Sequence, residues 1–245
     1  RSLPPEGLNA YRAAEAASLK MPYLVFAGIL ILLAIALWRF RLPVIKNIEA
    51  GGGEDASPPI ASSAWRIRHL MLGAVGIFLY CGAEVSIGSF LVNFFSQPEI
   101  GGLTEQVAAR HVSYYWTGAM IGRFVGSALL RRAPAGKLLG LYGLIASGLV
   151  WLTVCTTGHT AMWAIISVGL FNSIMFPTIF ALAIDGLGKL TSQGSGILIM
   201  AILGAAVIPL SQGALADSIG IHHSFALPAV CYLYVVFYGF KGCRH

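Results

Sequence analysis

Charge is what this 245-residue sequence has least of: 11% of its residues are Asp, Glu, Lys or Arg, against about 25% in globular domains. Sixteen basic and ten acidic residues leave a formal charge of +6. The basic residues sit in gaps between long apolar runs without interleaved aromatics, so a nucleic-acid partner is not expected. The four cysteines, Cys81, Cys155, Cys231 and Cys243, show no CxxC spacing. Three of them fall in apolar runs, where cysteine behaves as a small hydrophobe, so neither a disulfide framework nor a metal site is indicated. Catalytic signatures are missing too. There is no HExxH, no GxSxG set for attack, no P-loop and no pair of membrane aspartates, so no catalytic residue and no cofactor are expected. The chain opens Arg1-Ser2-Leu3-Pro4-Pro5, without an initiator methionine or a short apolar run followed by a cleavage site. That pattern is expected of an amino end cut from a longer chain.

What is present is apolar. Hydrophobic residues make up 57% of the chain, more than one water-bounded core can hide, so lipid is the expected solvent for much of it. Met21 to Trp38 is uncharged and about long enough to cross a hydrocarbon layer of some 30 Å. Leu70 to Phe95 contains one charge, Glu84, and Val112 to Leu130 one, Arg123. Leu138 to Ile184 has none and is too long for a single crossing; Thr156-Thr157-Gly158-His159-Thr160 supplies a polar turn that divides it. A charge-free run between Lys189 and Asp217 and another from Ser224 to Phe240 complete the set. The expected fold is an all-α membrane protein with seven transmembrane helices.

Basic residues in short loops resist translocation and set orientation. One side carries Arg39, Arg41, Lys46, Arg66, Arg68, Arg131, Arg132, Lys137, Lys189, Lys241 and Arg244, the other only Arg1, Arg12, Lys20 and Arg110. The first set is therefore expected in the cytoplasm, with the carboxyl end. Gly51-Gly52-Gly53-Glu54-Asp55-Ala56-Ser57-Pro58-Pro59 reads as a flexible polar linker. The expected organisation is one helix in residues 1–42, a cytoplasmic linker over 43–65 and a compact six-helix unit over 66–245.

Inside that unit Gly118, Gly122 and Gly126 form a double GxxxG, which lets a neighbouring backbone come close. Gly82, Ser86, Ser89 and Asn93 share a helical face that either packs a helix or lines an aqueous path. Pro177 and Pro209 imply kinks or gating hinges. Glu84 and Arg123 stand near the middle of their runs, where a charge costs at least ~2.5 kcal/mol. Glu84 points about 160° away from Ser86, at 100° per residue, so carboxylate and stripe cannot face one cavity on a regular helix. The simplest account pairs Glu84 with Arg123 inside the bundle; the alternative has Glu84 carrying a proton. Asp185 and Lys189, four apart at a cytoplasmic helix end, suggest an interfacial pair.

The segments Ile77-Phe78-Leu79-Tyr80-Cys81-Gly82-Ala83-Glu84-Val85-Ser86-Ile87-Gly88-Ser89-Phe90 and Tyr115-Trp116-Thr117-Gly118-Ala119-Met120-Ile121-Gly122-Arg123-Phe124 resemble the fucose and glucose/galactose permease family of the major facilitator superfamily. Phe171-Asn172-Ser173-Ile174-Met175-Phe176-Pro177-Thr178-Ile179-Phe180 and Gly194-Ser195-Gly196-Ile197-Leu198 resemble that family's tenth and eleventh helices, in order. The resemblance implies twelve helices in two six-helix halves, of which this chain supplies helices six to twelve. It also implies alternating access, with uptake of a hexose and a coupling cation, usually a proton, across a bacterial inner membrane. The amino-terminal half, where the family's coupling carboxylates lie, would then be a missing partner. Arg131, Arg132 and Lys137 match the basic part of the family's cytoplasmic loop motif, whose acidic residue is absent, and with Asp185 and Lys189 they are the expected cytoplasmic gate.

Sugar recognition needs hydroxyl partners and a flat apolar face, which makes Asn172, Ser173, Asn93, Trp116 and, near the outer end of its helix, Gln212 the candidate contacts. An intramembrane enzyme and a non-transporting membrane sensor on the same scaffold are the alternatives. The charge count generates a direct test in a cysteine-free background. Ser57→Cys should resist an impermeant thiol reagent in intact cells and react after permeabilisation, whereas a cysteine placed between Gln97 and Glu105 should react in both; labelling of Ser57→Cys in intact cells would reverse the orientation.

Overall fold

The chain divides into two units, Arg1–Ser57 and Pro58–His245. The computed structural model describes residues 64–243 and, in the first unit, residues 20, 21, 23–25, 27–32, 35 and 39, which are helical. The linker glycines and prolines, and the basic residues Arg41, Lys46 and Arg244, lie outside the described residues.

All regular structure described in the second unit is helical. A 3₁₀ turn, Ala64–Arg66, leads into α1 (Arg68–Phe95), followed by α2 (Glu105–Leu130), α3 (Ala135–Cys155), α4 (Gly158–Asn172), α5 (Met175–Ile184), α6 (Thr191–Met200), α7 (Gly204–Ile219), α8 (Ile221–Ser224) and α9 (Ala226–Phe237). α9 continues into a π-helical turn, Tyr238–Gly242.

Among the described residues five helical stretches are long and apolar enough to cross a membrane: α1, α3, Gly158–Ile184, Gly188–Ile219 and Ile221–Gly242. The protein is therefore multi-pass. The seven crossings expected from charge-free runs include two that differ in kind. α2 has 26 residues but carries Arg110, His111 and Arg123 in a less apolar sequence, and in the first unit Tyr23–Leu32 is a shorter apolar stretch.

The interruptions follow local chemistry. α3 and α4 part at Thr156 and Thr157, where Gly158 takes a left-handed φ of 63° and its amide donates to the Glu99 carbonyl at 2.9 Å. α4 and α5 part at Ser173 and Ile174; Pro177 lacks the amide that would bond the Ser173 carbonyl one turn earlier. Pro209, by contrast, lies inside an unbroken α7, and the irregular turn comes earlier, at Ala201–Leu203.

α1 is the central helix, packed by α7, α9 and α5, while α2 lies along α4, and α3 contacts both α4 and α9. The glycines of α2 meet α4, as a GxxxG face predicts: a Cβ at Gly122 would fall on the Leu170 carbonyl, and one at Gly169 on the Tyr115 carbonyl. Gly204 of α7 meets the Phe78 carbonyl of α1 in the same way. Side chains this small let backbones touch, which replaces the hydrophobic driving force that lipid removes. The outer face of α2 stays apolar and open, with Met120 60% and Phe124 74% exposed.

These crossings have little room to relax, because the blocking atoms belong to backbone. Gly122→Val should therefore lower the folded yield in detergent and the thermal stability by about 3 kcal/mol or more, the upper end of overpacking costs. Gly148→Ala, where a Cβ meets nothing within 4 Å, should leave both unchanged or slightly raised. Equal behaviour of the two variants in fluorescence-detected size-exclusion melts would contradict this packing.

Candidate functional site

A side-chain amide buried in an apolar bundle must find its partners inside the protein. Asn172, 1% exposed at the carboxyl end of α4, does so. Its Nδ2 donates to the Tyr115 hydroxyl of α2 at 2.7 Å, and its Oδ1 accepts from the Tyr232 hydroxyl of α9 at 2.8 Å. Its backbone carbonyl accepts from the Tyr80 hydroxyl of α1 at 2.8 Å. Four helices thus meet at one residue beside the α4–α5 break, and all three tyrosines are fully buried or nearly so.

Glu84 lies one turn beyond Tyr80 and is half-buried. Its carboxylate lies near the Tyr80 hydroxyl, whose proton goes to the Asn172 carbonyl, and feels the charge of Arg123. Arg123 is exposed, and no ion pair within 4.0 Å joins it to Glu84. The expected buried pair is accordingly a longer-range attraction along the α1–α2 seam. The angular conflict between Glu84 and Ser86 is also settled: Ser86 is fully buried, its Oγ without a protein partner, while Ser89 and Asn93 are exposed. The small-and-polar stripe is packing at Gly82 and Ser86 and surface at Ser89 and Asn93.

The other expected sugar contacts separate in the same way. Trp116 is 51% exposed, its ring edge-on to Tyr115 at 5.2 Å, and it packs by Gly88. Ser173 is 3% exposed, its Oγ donating to the Leu170 carbonyl at 3.0 Å. Gln212 is fully buried, not at a cavity mouth; its Nε2 donates to Ser224 Oγ at 3.3 Å, and its Oε1 has no protein partner. Of the candidate sugar contacts, Asn172, Ser173 and Gln212 are therefore interior, with neighbouring helices closed over them, whereas Asn93 and Trp116 lie on the open face.

At the expected cytoplasmic gate, Arg131, Arg132 and Lys137 are exposed at the turn between α2 and α3. Asp185 and Lys189 do not share a helix turn: α5 ends at Ile184, Asp185 is extended, and Lys189 lies in the 3₁₀ turn Gly188–Leu190. The Asp185 carbonyl is 3.2 Å from His69 Nε2, and its residue borders a cleft of about 340 Å³ with Leu130, Pro177 and Thr178. A second cleft, of about 290 Å³, is lined by Trp65, Met71, Phe78 and Met200. Both are mostly apolar, and neither is lined by Asn172, Tyr80, Tyr115 or Tyr232. Among the described residues no group of His, Cys, Asp and Glu is placed to hold a metal ion.

The Major Facilitator Superfamily matches residues 12–202. A glucose/galactose transporter of Brucella abortus biovar 1 (strain 9-941) is 53% identical over 231 residues, which cover 94% of this chain and 55% of that protein. A putative glucose/galactose transporter of Helicobacter pylori (strain ATCC 700392 / 26695) is 40% identical over 238 residues, 95% of this chain and 56% of that one. The L-fucose-proton symporter of Escherichia coli (strain K12) is 31% identical over 230 residues, 93% and 52%. The crystal structure of the transporter FucP in the outward conformation superposes with a TM-score of 0.82 at 29% identity, covering 100% of this chain and 59% of that one. The chain spans about half the length of the curated relatives it matches.

The Asn172 cluster makes an ordered prediction about stability. Asn172→Leu strands two tyrosine hydroxyls in an apolar interior and should cost ~2–6 kcal/mol, since each unsatisfied buried group costs about 1–3. Tyr232→Phe strands one acceptor and should cost ~1–3 kcal/mol, less than Asn172→Leu. Thermal unfolding of the purified chain in one detergent would check the order; equal stability of wild type and Asn172→Leu would remove the cluster's structural role.

Proposed function

Because the chain belongs to the major facilitator superfamily, we propose that it is the carboxyl-terminal portion of a cation-coupled hexose transporter, taking up glucose, galactose or fucose by alternating access. The observation that carries this reading is the identity along nearly the whole chain with transporters of glucose and galactose. In this reading the chain crosses the membrane seven times. The first crossing is the last helix of the amino-terminal half, residues 1–42, joined by a cytoplasmic linker over 43–65 to the six-helix half over 66–245. The less apolar α2 is the third of these crossings in chain order, the one before α3, and its polar residues suit a helix bordering a water-filled path more than one facing only lipid. The protein resides in a bacterial inner membrane with its carboxyl end in the cytoplasm, as the distribution of basic residues favours.

The roles follow from exposure. Asn93 and Trp116, on the open face, would offer a hydrogen-bonding amide and a flat apolar ring to a hexose. Arg131, Arg132 and Lys137, with Asp185 and Lys189, would meet the cytoplasmic face of the other half when the inner side closes. The coupling ion is a proton in the fucose relative's name, and the same coupling is proposed here. Alternating access needs two bundles that rock about a midplane site, so transport requires the amino-terminal half.

Reconstitution tests this. The chain alone in liposomes with a proton gradient should give no accumulation of labelled glucose, galactose or fucose, and co-reconstitution with the amino-terminal half of the Brucella abortus relative should give saturable, gradient-dependent uptake. Concentrative uptake by the chain alone would overturn the requirement for a second half; absence of uptake of all three sugars by a folded two-half complex would overturn the hexose assignment.

A further inference from the structure

Helices α1 and α7 pack with their residues in step. A Cβ at Gly204 would fall on the Phe78 carbonyl; four residues on along both helices, a Cβ at Gly82 would fall on the Ile208 side chain. Four further on stand Ser86 and Gln212, and just past them a Cβ at Gly213 would lie 3.6 Å from the Phe90 ring. Contacts therefore bracket the level of Ser86 and Gln212 on both sides. That level is about 6 Å along the axis from the Gly82–Ile208 contact, at 1.5 Å per residue, so the helices have little distance in which to part. Both side chains are fully buried, and each carries an oxygen without a protein partner, Ser86 Oγ and Gln212 Oε1.

The two oxygens are complementary. Ser224 donates its hydroxyl proton to the Ile221 carbonyl at 2.7 Å, so towards Gln212 it can only accept. The amide nitrogen of Gln212 must then face Ser224, as it does at 3.3 Å, because the reversed amide would set two acceptors against each other. Oε1 is left as an acceptor in need of a donor. Ser86 has one to give. Helical serines and threonines often bond the carbonyl four residues back, as Thr117, Ser167 and Ser211 do here, whereas Ser86 makes no such bond and its proton is uncommitted.

We propose that Ser86 Oγ and Gln212 Oε1 together bind one water molecule, sealed in the seam between α1 and α7. The two oxygens do not bond each other directly, and a bridging water joins polar groups too far apart for one hydrogen bond. Ser86 donates to the water, and the water donates to Gln212 Oε1. Its second proton can take the spare lone pair of the Gly82 carbonyl, the one a back-bonding Ser86 would have used. Donors then run one way from Ser86 through water, Gln212 and Ser224 to the Ile221 carbonyl, which ties α1 through α7 to α8. Two neutral oxygens are too few ligands for a bare metal cation, and full burial excludes a hexose. A buried water with two to four polar partners is a structural part of a protein. This site stands independently of the transporter reading.

A high-resolution crystal structure of the purified full chain, grown from a lipidic mesophase, tests it. One density peak should lie within about 2.5–3.2 Å of both Ser86 Oγ and Gln212 Oε1. In thermal unfolding, Ser86→Ala and Gln212→Leu each leave the water a partner short and should each lower the folded-to-unfolded ratio about tenfold. The double variant removes both partners with the water and should lose less than the two single losses multiplied. Ser211→Ala, whose hydroxyl is exposed and back-bonded, should behave like wild type. A direct bond between Ser86 and Gln212, a peak touching one of them alone, no peak, or single losses that multiply independently overturns the shared water. Should a variant fail to fold, the wild-type map still decides. No transport is measured, so the hexose reading keeps its own test.

Discussion

Asn172 must have every polar atom of its side chain satisfied where no water reaches, and the arrangement of the bundle around the α4–α5 break depends on that requirement. An amide offers two donors and an acceptor, so one residue can engage several helices at once. Tyr115 of α2 and Tyr232 of α9 approach from different directions, and Tyr80 of α1 closes on the adjacent backbone carbonyl. An apolar side chain there would pack but would not specify which helix faces which, because lipid and protein interior are equally apolar. The polar cluster supplies direction in a bundle whose other contacts are nearly interchangeable.

Close backbone crossings supply the rest. Gly122 and Gly169 bring α2 onto α4, and Gly204 brings α7 onto α1. Thus α1 is held by α7 through backbone proximity, by α4 through the Tyr80 hydroxyl, and by α9 through the Tyr234 hydroxyl, which donates to the Leu72 carbonyl at 3.1 Å. The open side of the α1–α2 seam is where Glu84, Trp116 and Arg123 lie.

Much was legible in the sequence because it is decided locally. Long uncharged runs fix which segments can cross a bilayer, a polar Thr-Thr-Gly turn ends α3, and small residues four apart on α2 announce a close neighbour. The break between α4 and α5 follows from Pro177, whose missing amide acts one turn back whatever surrounds it. Residue order alone also carried the family resemblance, since it rests on contiguous segments.

What only the tertiary structure decided is which polar groups meet. Asn172 finds its partners 57, 60 and 92 residues away, and nothing in the hydropathy of α4 indicates them; the one available signal is that a buried tyrosine hydroxyl needs a partner. Gln212 and Ser173 read as cavity residues from their hydrogen-bonding chemistry but are closed over by neighbouring helices, and Asp185 and Lys189 lose their helical spacing because α5 ends at Ile184, before both. Glu84 and Arg123, each costly to bury alone, suggested a contact pair; rotation of α2 about its glycine face leaves Arg123 exposed. Helical periodicity is a property of the backbone and is written in every window of sequence, whereas the satisfaction of a buried polar group depends on atoms that the chain brings close only after it has folded.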